Sequence, residues 1–186
     1  MFNKRILPLL AVLLLTACAS SPRIQTMQAP GADFSDYRTF AFMDPMGTDK
    51  AGYASLISRQ LIFSIRRELE MLGFEYTDDP DRADMLVNAN THLDEKIQTR
   101  EVVDPFMGPT YWDYRYGFYS SWPAYPTRTE VTQYSVGTLT VDLVDADERV
   151  MVWEGTARNE ITEKTRRNAA SAIDEAVTKM FDQFPL

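Results

Sequence analysis

The amino-terminal segment places the tightest constraint on this chain. Lys4 and Arg5 precede an apolar run of ten residues, 6–15, which is interrupted only by Pro8. A short positive region followed by a short apolar run is typical of a secretory signal peptide. The run is too short to cross a bilayer, because a membrane-spanning helix needs about 20 apolar residues. We therefore expect the folded part of the protein to lie after this segment.

The four residues Leu15-Thr16-Ala17-Cys18 end the segment. They resemble the lipobox of bacterial lipoproteins, in which a leucine and two small residues precede a cysteine. The resemblance implies that the thiol of Cys18 takes up a diacylglyceryl group and that the chain is cleaved between Ala17 and Cys18. The acyl chains then anchor the protein stably in a membrane. Because Ala19 stands where an aspartate favours retention in the inner membrane, the resemblance implies the outer membrane, facing the periplasm, if the source is Gram-negative.

The scarcity of cysteine and histidine restricts the chemistry of the chain. Cys18 is the only cysteine and His92 the only histidine, so no disulfide can form within the chain and a zinc site lacks ligands. The sequence also has no glycine-rich phosphate loop and no dinucleotide-binding motif. We therefore expect no metal and no cofactor. The alternative to lipidation is an ordinary signal peptide followed by an incidental cysteine, which would leave a free thiol without a role.

Size and charge indicate one acidic domain. Removal of residues 1–17 leaves 169 residues (186 − 17), enough for one hydrophobic core. We predict a cleaved signal peptide at 1–17, a lipidated cysteine with a flexible tether at 18–33, and a single domain at 34–186. Loss of Lys4 and Arg5 changes the net charge from −8 to −10. This charge argues against nucleic acid as a partner and against electrostatic binding to anionic headgroups.

Two stretches carry apolar residues at helical spacing. In residues 53–72 the spacings are 4, 4, 4 and 3, which places one buried stripe on a helix. This stripe comprises Ile57, Leu61, Ile65, Leu69 and Leu72. Gly73 follows at the position where a left-handed residue ends a helix, and Phe74 is expected to fold back on Leu69.

A second helix is predicted to have Thr165 as its N-cap. Its stripe comprises Ala169, Ile173, Ala176, Val177, Met180, Phe181 and Phe184.

Alternating apolar and polar residues predict the strands. The expected ranges are 37–43, 74–77, 85–93 with a polar continuation toward 103, 130–144 and 149–161. The short turn at 145–148 makes the last two an antiparallel hairpin.

The acidic residues at 78–81 lack the spacing of a calcium loop, so we interpret them as a turn. His92 falls on the polar side of its strand and is interpreted as a solvated residue rather than a catalytic base.

Residues 104–126 differ from the rest of the chain. They contain nine aromatic residues and four prolines, and no helical or strand period fits them. The segment predicts a long loop, and long loops in compact domains are usually functional or disordered. Tyrosine and tryptophan dominate recognition surfaces because their flat faces lose little rotamer entropy. The predicted contact residues are Tyr111, Trp112, Tyr114, Tyr116, Phe118, Tyr119, Trp122 and Tyr125.

The partner of this aromatic loop is left open by the sequence. Its rings suit the sugar rings of peptidoglycan or another glycan, an envelope protein, or the headgroup region of the nearby membrane. The alternatives to a displayed surface are rings that fold back into the core and a loop that is disordered.

The element order predicts an α+β fold. A mostly antiparallel sheet, with the two amphipathic helices packed on one face and the aromatic loop inserted between strands, is the simplest layered arrangement.

Several stretches resemble a family of bacterial lipoproteins known as a domain of unknown function (number four-one-three-six). The resemblance runs from Tyr37 to Leu186. It is carried by the segments at 36–42, 83–87, 137–145, 152–157 and 176–185. It implies an envelope lipoprotein with an α+β domain, without established activity and without catalytic residues to carry over.

The residues indicate no enzyme. A nucleophile needs an oriented base, and neither Cys18 nor His92 has a partner by motif. We therefore expect a non-catalytic binding or accessory lipoprotein of the cell envelope whose contact surface is 104–126. One alternative is a structural lipoprotein that self-associates through sheet edges or the loop. The other is a glycan-cleaving enzyme, which requires two carboxylates converging in a cleft.

Overall fold

The computed structural model describes residues 21–49, 54–103, 110–113, 115, 117–121 and 127–186. The predicted signal peptide and Cys18 lie outside the described residues. The eight strands in this part of the chain are β1 Arg23–Gln28, β2 Thr39–Phe42, β3 Glu75–Tyr76, β4 Met85–Val103, β5 Thr110–Asp113, β6 Phe118–Ser121, β7 Thr127–Asp145 and β8 Met151–Glu160. The α-helices are α1 Leu56–Met71, α2 Glu163–Arg167 and α3 Ala169–Phe181. None of the described helices combines the length and apolarity needed to cross a membrane.

Six strands form one sheet in the order β1-β8-β7-β4-β2-β3. The pairs β1–β8, β8–β7 and β7–β4 are antiparallel, whereas β2 pairs parallel with both β4 and β3. The prediction of an α+β fold is confirmed, but the sheet is mixed rather than mostly antiparallel. The reason is α1: a helix between β2 and β3 carries the chain back to the starting end of the sheet, so that β3 runs parallel to β2.

The hydrophobic core lies between one face of the sheet and helices α1 and α3. Its fully buried side chains include Leu61, Ile65 and Leu69 from α1, with Val177 and Met180 from α3. The prediction that both amphipathic helices pack on one face is therefore confirmed. From the sheet, the core takes Phe40, Met85, Val87, Ala89, Leu139, Val141, Leu143 and Trp153, among others.

The opposite face of the sheet carries no described helix, and we call it the open face. Leu86, the apolar exception in the alternation of β4, is 2% exposed here because it packs with Ala41 and Ala83 in a small separate cluster. Toward the far end of β4 the open face is polar, and His92 and Arg158 are exposed on it.

Helix α1 ends as its sequence predicts, but it begins at Leu56 rather than at 53, and Ile57 of the predicted buried stripe is 43% exposed. Ser55 is the N-cap, and its Oγ accepts a hydrogen bond from the Ser58 N–H at 3.0 Å. Gly73 has a φ of +100°, and the Phe74 N–H donates to the Leu69 carbonyl at 3.0 Å. This is the glycine-terminated helix end that the sequence predicts.

The start of the carboxy-terminal helices differs from the prediction. Thr162, not Thr165, is the N-cap of α2, since its Oγ1 accepts from the Thr165 N–H at 3.1 Å. The chain leaves helical geometry at Asn168, where ψ is 39°, and α3 begins as a separate helix at Ala169. Ala169 is consequently exposed, and the buried stripe begins one turn later than predicted.

The middle of the segment predicted as a flexible tether, 18–33, is a strand. Residues Arg23–Gln28 form β1, an edge strand that pairs with β8 over its whole length. Ile24 packs against the core, and Ala29 continues the pairing by donating to the Val152 carbonyl at 2.9 Å. The partner strand satisfies one row of backbone groups of this polar segment, a stabilisation that no local period reveals.

Asp84 joins β2 to the start of β4. Its Oδ2 accepts hydrogen bonds from the backbone N–H groups of Arg38 and Thr39, both at 2.8 Å, and from Thr39 Oγ1 at 3.0 Å. Burial alone would raise the pKa of Asp84, but these hydrogen bonds outweigh it and hold the pKa below the usual 3.8. The ionised carboxylate therefore stabilises the parallel β2–β4 pairing.

We expect Asp84→Ala to lower the free energy of unfolding by about 1 kcal/mol at neutral pH, since the bonds it removes are partly solvated. The pKa of Asp84 is 3.8 in the unfolded chain and lower in the folded protein. The stabilisation by the ionised carboxylate is therefore fully present above pH 3.8, and it is lost as the pH falls through the pKa of the folded protein. The difference between variant and wild type should therefore shrink at acidic pH. Urea unfolding at neutral and acidic pH measures it. Asp78→Ala, at an exposed carboxylate, is the control; an equal loss there would contradict the role of Asp84.

Candidate functional site

The central strands β4 and β7 extend far beyond the rest of the sheet. Each has 19 residues, and they pair from Met85–Asp145 to Val103–Thr127. Strand β8 follows β7 only as far as the pair Val136–Glu160. Residues 95–103 and 127–135 therefore form a two-stranded ribbon, which we call the arm. At about 3.4 Å per residue its nine pairs span about 30 Å.

One face of the arm displays apolar side chains. Leu93 at its base is 57% exposed, and further along Ile97 is 70%, Val131 65% and Val103 55% exposed. These residues share a face because β4 side chains alternate and Val131 pairs with Thr99. The face continues the helix-covered side of the sheet, so we call it the helix-side face. Its charged residues on the arm are Glu95 and Glu101, and it carries no cation.

The opposite face of the arm is polar and carries all its cations. Lys96, Arg100 and Arg128 lie here by alternation, with Glu130 paired to Arg128 at 2.7 Å. Tyr134 lies directly across from Lys96. The two faces of the arm thus differ in both hydrophobicity and the sign of their charge.

The aromatic segment 104–126 lies in the chain between the two strands of the arm. The structure corrects the prediction of a continuous loop, because Thr110–Asp113 and Phe118–Ser121 form an antiparallel hairpin of their own. Trp112 pairs with Tyr119 in it, and the predicted contact residues Tyr111 and Phe118 also lie on its strands. The other predicted contact residues, Tyr114, Tyr116, Trp122 and Tyr125, lie outside the described residues. The strands were missed because each is only four residues long and lies between proline-rich flanks.

A groove lies on the open face at the base of the arm. It has a volume of about 470 Å³, and its lining includes Arg23, Lys96, Tyr134, Arg158 and Glu160, with Val136 buried beneath them. These residues come from four adjacent strands, with Arg23 paired to Arg158. Arg23 and Lys96 form no ion pair with any described residue, and Arg158 Nη2 is 4.0 Å from Asp94 Oδ2. No single stretch of sequence contains this set, so sequence reasoning missed it.

The groove adjoins the point at which the described chain begins. Ser21 lines it, and Ser21 Oγ accepts a hydrogen bond from Lys179 Nζ on α3 at 3.0 Å. Because β1 is antiparallel to β8 and starts opposite Arg158, Ser21 lies at the end of the sheet from which the arm projects. The described chain therefore begins at the end of the domain from which the arm projects.

His92 has a partner that no motif indicates. Its Nε2 lies 3.1 Å from Asp94 Oδ1 on the open face, and its side chain is 74% exposed. The prediction of a solvated strand residue is confirmed. No cluster of three or more metal-ligating residues occurs within the described part of the chain.

Two carboxylates of the open face stand at paired positions. Asp142 on β7 is directly opposite Glu154 on β8, and Asp142 is 7% exposed. Burial and, next, the charge of Glu154 raise the pKa of Asp142, while the Asn88 amide, which donates to Oδ2 at 3.4 Å, acts in the opposite direction. A carboxyl group of raised pKa beside a second carboxylate is the pattern of a general acid. Neither residue lines the groove at the base of the arm.

The sequence matches the domain of unknown function DUF4136 over residues 24–186. The chain belongs to the DUF4136 family. This match confirms the family that the sequence resembles. It includes all of β1 except Arg23, so the predicted tether lies partly inside the family domain.

Solved structures share the fold. A DUF4136 family protein from Bacteroides thetaiotaomicron is 16% identical, with a TM-score of 0.53 over 89% of this chain and 96% of the other. A PDZ domain protein from Parabacteroides distasonis is 14% identical, with a TM-score of 0.56 over 89% of this chain. The present chain spans 36% of the length of that protein. At these identities the likeness shows the fold alone, and no curated protein matches the sequence significantly.

Proposed function

We propose that this DUF4136 protein is a lipid-anchored protein of the cell envelope that acts as a non-catalytic binding or accessory module. Its contact surface is the helix-side face of the arm together with the aromatic hairpin that the arm carries. The lipid on Cys18 and the outer membrane as its site follow from the lipobox resemblance.

The observation that carries this proposal is the exposure of apolar side chains along the arm. Ile97, Val131 and Val103 are each more than half exposed on a two-stranded ribbon, where the helices of the domain do not cover them. Exposed apolar patches on a soluble domain mark interaction sites, and aromatic anchors contribute most to such interfaces. The glutamates on the same face favour a protein partner over an anionic surface.

The second candidate is self-association of the domain. β1 is an edge strand of six residues that leaves one row of backbone groups unpaired within the described sheet, and Met27 on it is 67% exposed. Edge strands of this kind pair with other chains unless they are protected. Sedimentation of the unlipidated domain at increasing concentration distinguishes self-association from binding to a different protein, because a strict monomer excludes self-association.

The third candidate, glycan cleavage by Asp142 and Glu154, requires a substrate cleft around the pair. Loss of a glycan-hydrolysing activity in Asp142→Asn, measured on purified peptidoglycan, would support it.

Photo-crosslinking in living cells tests the proposed surface. A photoreactive residue at Ile97 or Trp112 should form a discrete adduct with a partner protein. The matched control is Gln98, the next residue along β4, which lies on the opposite face of the same arm. Crosslinks only within the chain, or equal adducts at Ile97 and Gln98, would contradict a partner bound to the helix-side face.

A lipid label tests the anchor separately. Cys18→Ala should abolish incorporation of a fatty-acid analogue into the protein. Retention of the label would place the lipid elsewhere and contradict the anchor at Cys18.

A further inference from the structure

We propose that the groove at the base of the arm binds the headgroups of anionic phospholipids in the membrane that holds Cys18, and so lays the open face of the arm along that membrane. The inference rests on the lipid anchor of the proposed function and adds a second membrane contact to it.

The first argument is reach. Three peptide steps separate Cys18 from Ser21, and an extended chain covers at most about 3.6 Å per residue, or about 11 Å. Ser21 lines the groove and is held there by Lys179. The groove therefore cannot move far from the bilayer surface once Cys18 is acylated, which raises the local concentration of headgroups around it.

The second argument is the distribution of charge. The mature chain is acidic, and its net charge argued against binding to anionic headgroups. In the groove, however, the cations outnumber the anions. Arg23, Lys96 and Arg158 lie near only two carboxylates, those of Glu160 and the neighbouring Asp94. Arg23 and Lys96 have no ion-pair partner among the described residues, so their charges are available to a phosphate. Tyr134 completes the lining with a side-chain type that is enriched at the headgroup level of membranes.

The third argument is the asymmetry of the arm. Its cations, Lys96, Arg100 and Arg128, all lie on the open face, whereas the helix-side face has Glu95 and Glu101 and no cation. An anionic surface therefore attracts the open face and repels the other. The arm is about 30 Å long and leaves the domain at the anchored end, so it has to run along the membrane with its apolar face directed away from the headgroups.

Vesicle binding of the unlipidated mature chain tests the groove. The protein is residues 18–186 with Cys18→Ser, which contains every described element. We expect it to partition onto vesicles in which about a third of the phosphatidylcholine is replaced by phosphatidylglycerol, more strongly than onto phosphatidylcholine alone. The binding should weaken as the salt concentration rises, because exposed charges are screened.

The deciding variant is Arg23→Gln with Lys96→Gln. Each basic residue near an anionic surface contributes about fivefold, so the pair should lower the partition coefficient by about 25-fold. Arg59→Gln with Arg82→Gln removes the same charge at exposed sites outside the groove and should leave the binding near that of the wild type. Urea unfolding checks that both variants are folded.

Three outcomes would overturn the inference: equal binding to the two kinds of vesicle, an equal loss in the two double variants, or stabilisation by soluble glycerol phosphate without vesicle binding. The last would assign the groove to a soluble anion. A failure here is distinct from a failure of the proposed function, because the crosslinks at Ile97 and the fatty-acid label at Cys18 report on other parts of the chain.

Discussion

Replacing Trp153 with alanine is expected to destabilise the domain by about 3–5 kcal/mol, the range for removing a fully buried aromatic side chain. Trp153 is 1% exposed and is the largest fully buried side chain among the described residues. Its ring centroid lies 5.2 Å from that of Phe181 and 5.3 Å from that of Phe184. The residue therefore holds β8 against α3 and the carboxy-terminal end, and its loss leaves a cavity that these elements cannot fill without moving.

The sequence around Trp153 is adapted to its ring. A methyl group at Gly155 would lie 2.5 Å from Trp153 Cη2 and 3.1 Å from Met180 Sδ, so the absence of a side chain at Gly155 makes room for the indole. The indole Nε1 is buried and has no hydrogen-bond partner among the described residues. Trp153→Phe retains an aromatic ring and removes this unpaired donor, so it should lose much less stability than Trp153→Ala.

Urea unfolding followed by circular dichroism measures both variants. Thr132→Ala, on the exposed open face of the arm, is a control that should change the free energy of unfolding by less than about 0.5 kcal/mol. A loss of less than about 1 kcal/mol in Trp153→Ala would show that the layers do not depend on this residue.

The elements with a strong local period were predictable from the sequence. The helix expected at 53–72 is α1 Leu56–Met71, because five apolar residues on one face and a terminating Gly73 all indicate the same element. The hairpin of β7 and β8 follows from alternation on both sides of a short polar turn. In each case the signal is a local pattern within one element or across one short turn, which is what periodicity reports.

The pairings that join distant segments were not predictable in the same way. Strand β1 has six residues without a clear period, and its stabilisation comes from β8, more than 120 residues later in the chain. The parallel position of β2 between β4 and β3 likewise depends on the path of α1 rather than on the residues of β2. Such non-local contacts leave little trace in a local pattern, which is why the tether and the sheet type were mispredicted.

The candidate surfaces also differ in whether their signal is local or long-range in the sequence. The aromatic composition of 104–126 is visible in the sequence, whereas the groove joins Arg23, Lys96, Tyr134 and Arg158 only through the register of four strands. The arm is an intermediate case. The sequence shows that alternation continues toward Val103, but only the end of β8 at Glu160 shows that the ribbon stands alone beyond that point.

Shortening the arm is the prediction with the largest functional effect. Joining Lys96 to Tyr134 through Asn-Gly, the preferred type I′ hairpin turn, removes residues 97–133 and leaves the groove intact. The described residues that are removed include exposed Ile97, Val103 and Val131, and none of them belongs to the hydrophobic core. The free energy of unfolding should therefore change by less than about 1 kcal/mol, helped by the shorter loop that folding has to close. The partner adduct formed through a photoreactive residue at Leu93, which is retained in both proteins, should disappear.

A nested deletion determines which part of the arm carries the contact. Replacing only 104–126 with Asn-Gly keeps the apolar face of the ribbon and deletes the aromatic hairpin. If the Leu93 adduct is lost with this shorter deletion, the aromatic residues anchor the partner; if it persists until 97–133 is removed, the apolar side chains of β4 and β7 do. A large fall in unfolding free energy with either deletion would mean that the segment packs into the core, which would refute a displayed contact surface. The 104–126 deletion leaves Arg23, Lys96, Arg100 and Arg128 in place, so its vesicle binding should be retained and partner binding can be measured separately from membrane docking. The 97–133 deletion also removes Arg100 and Arg128 and should weaken vesicle binding.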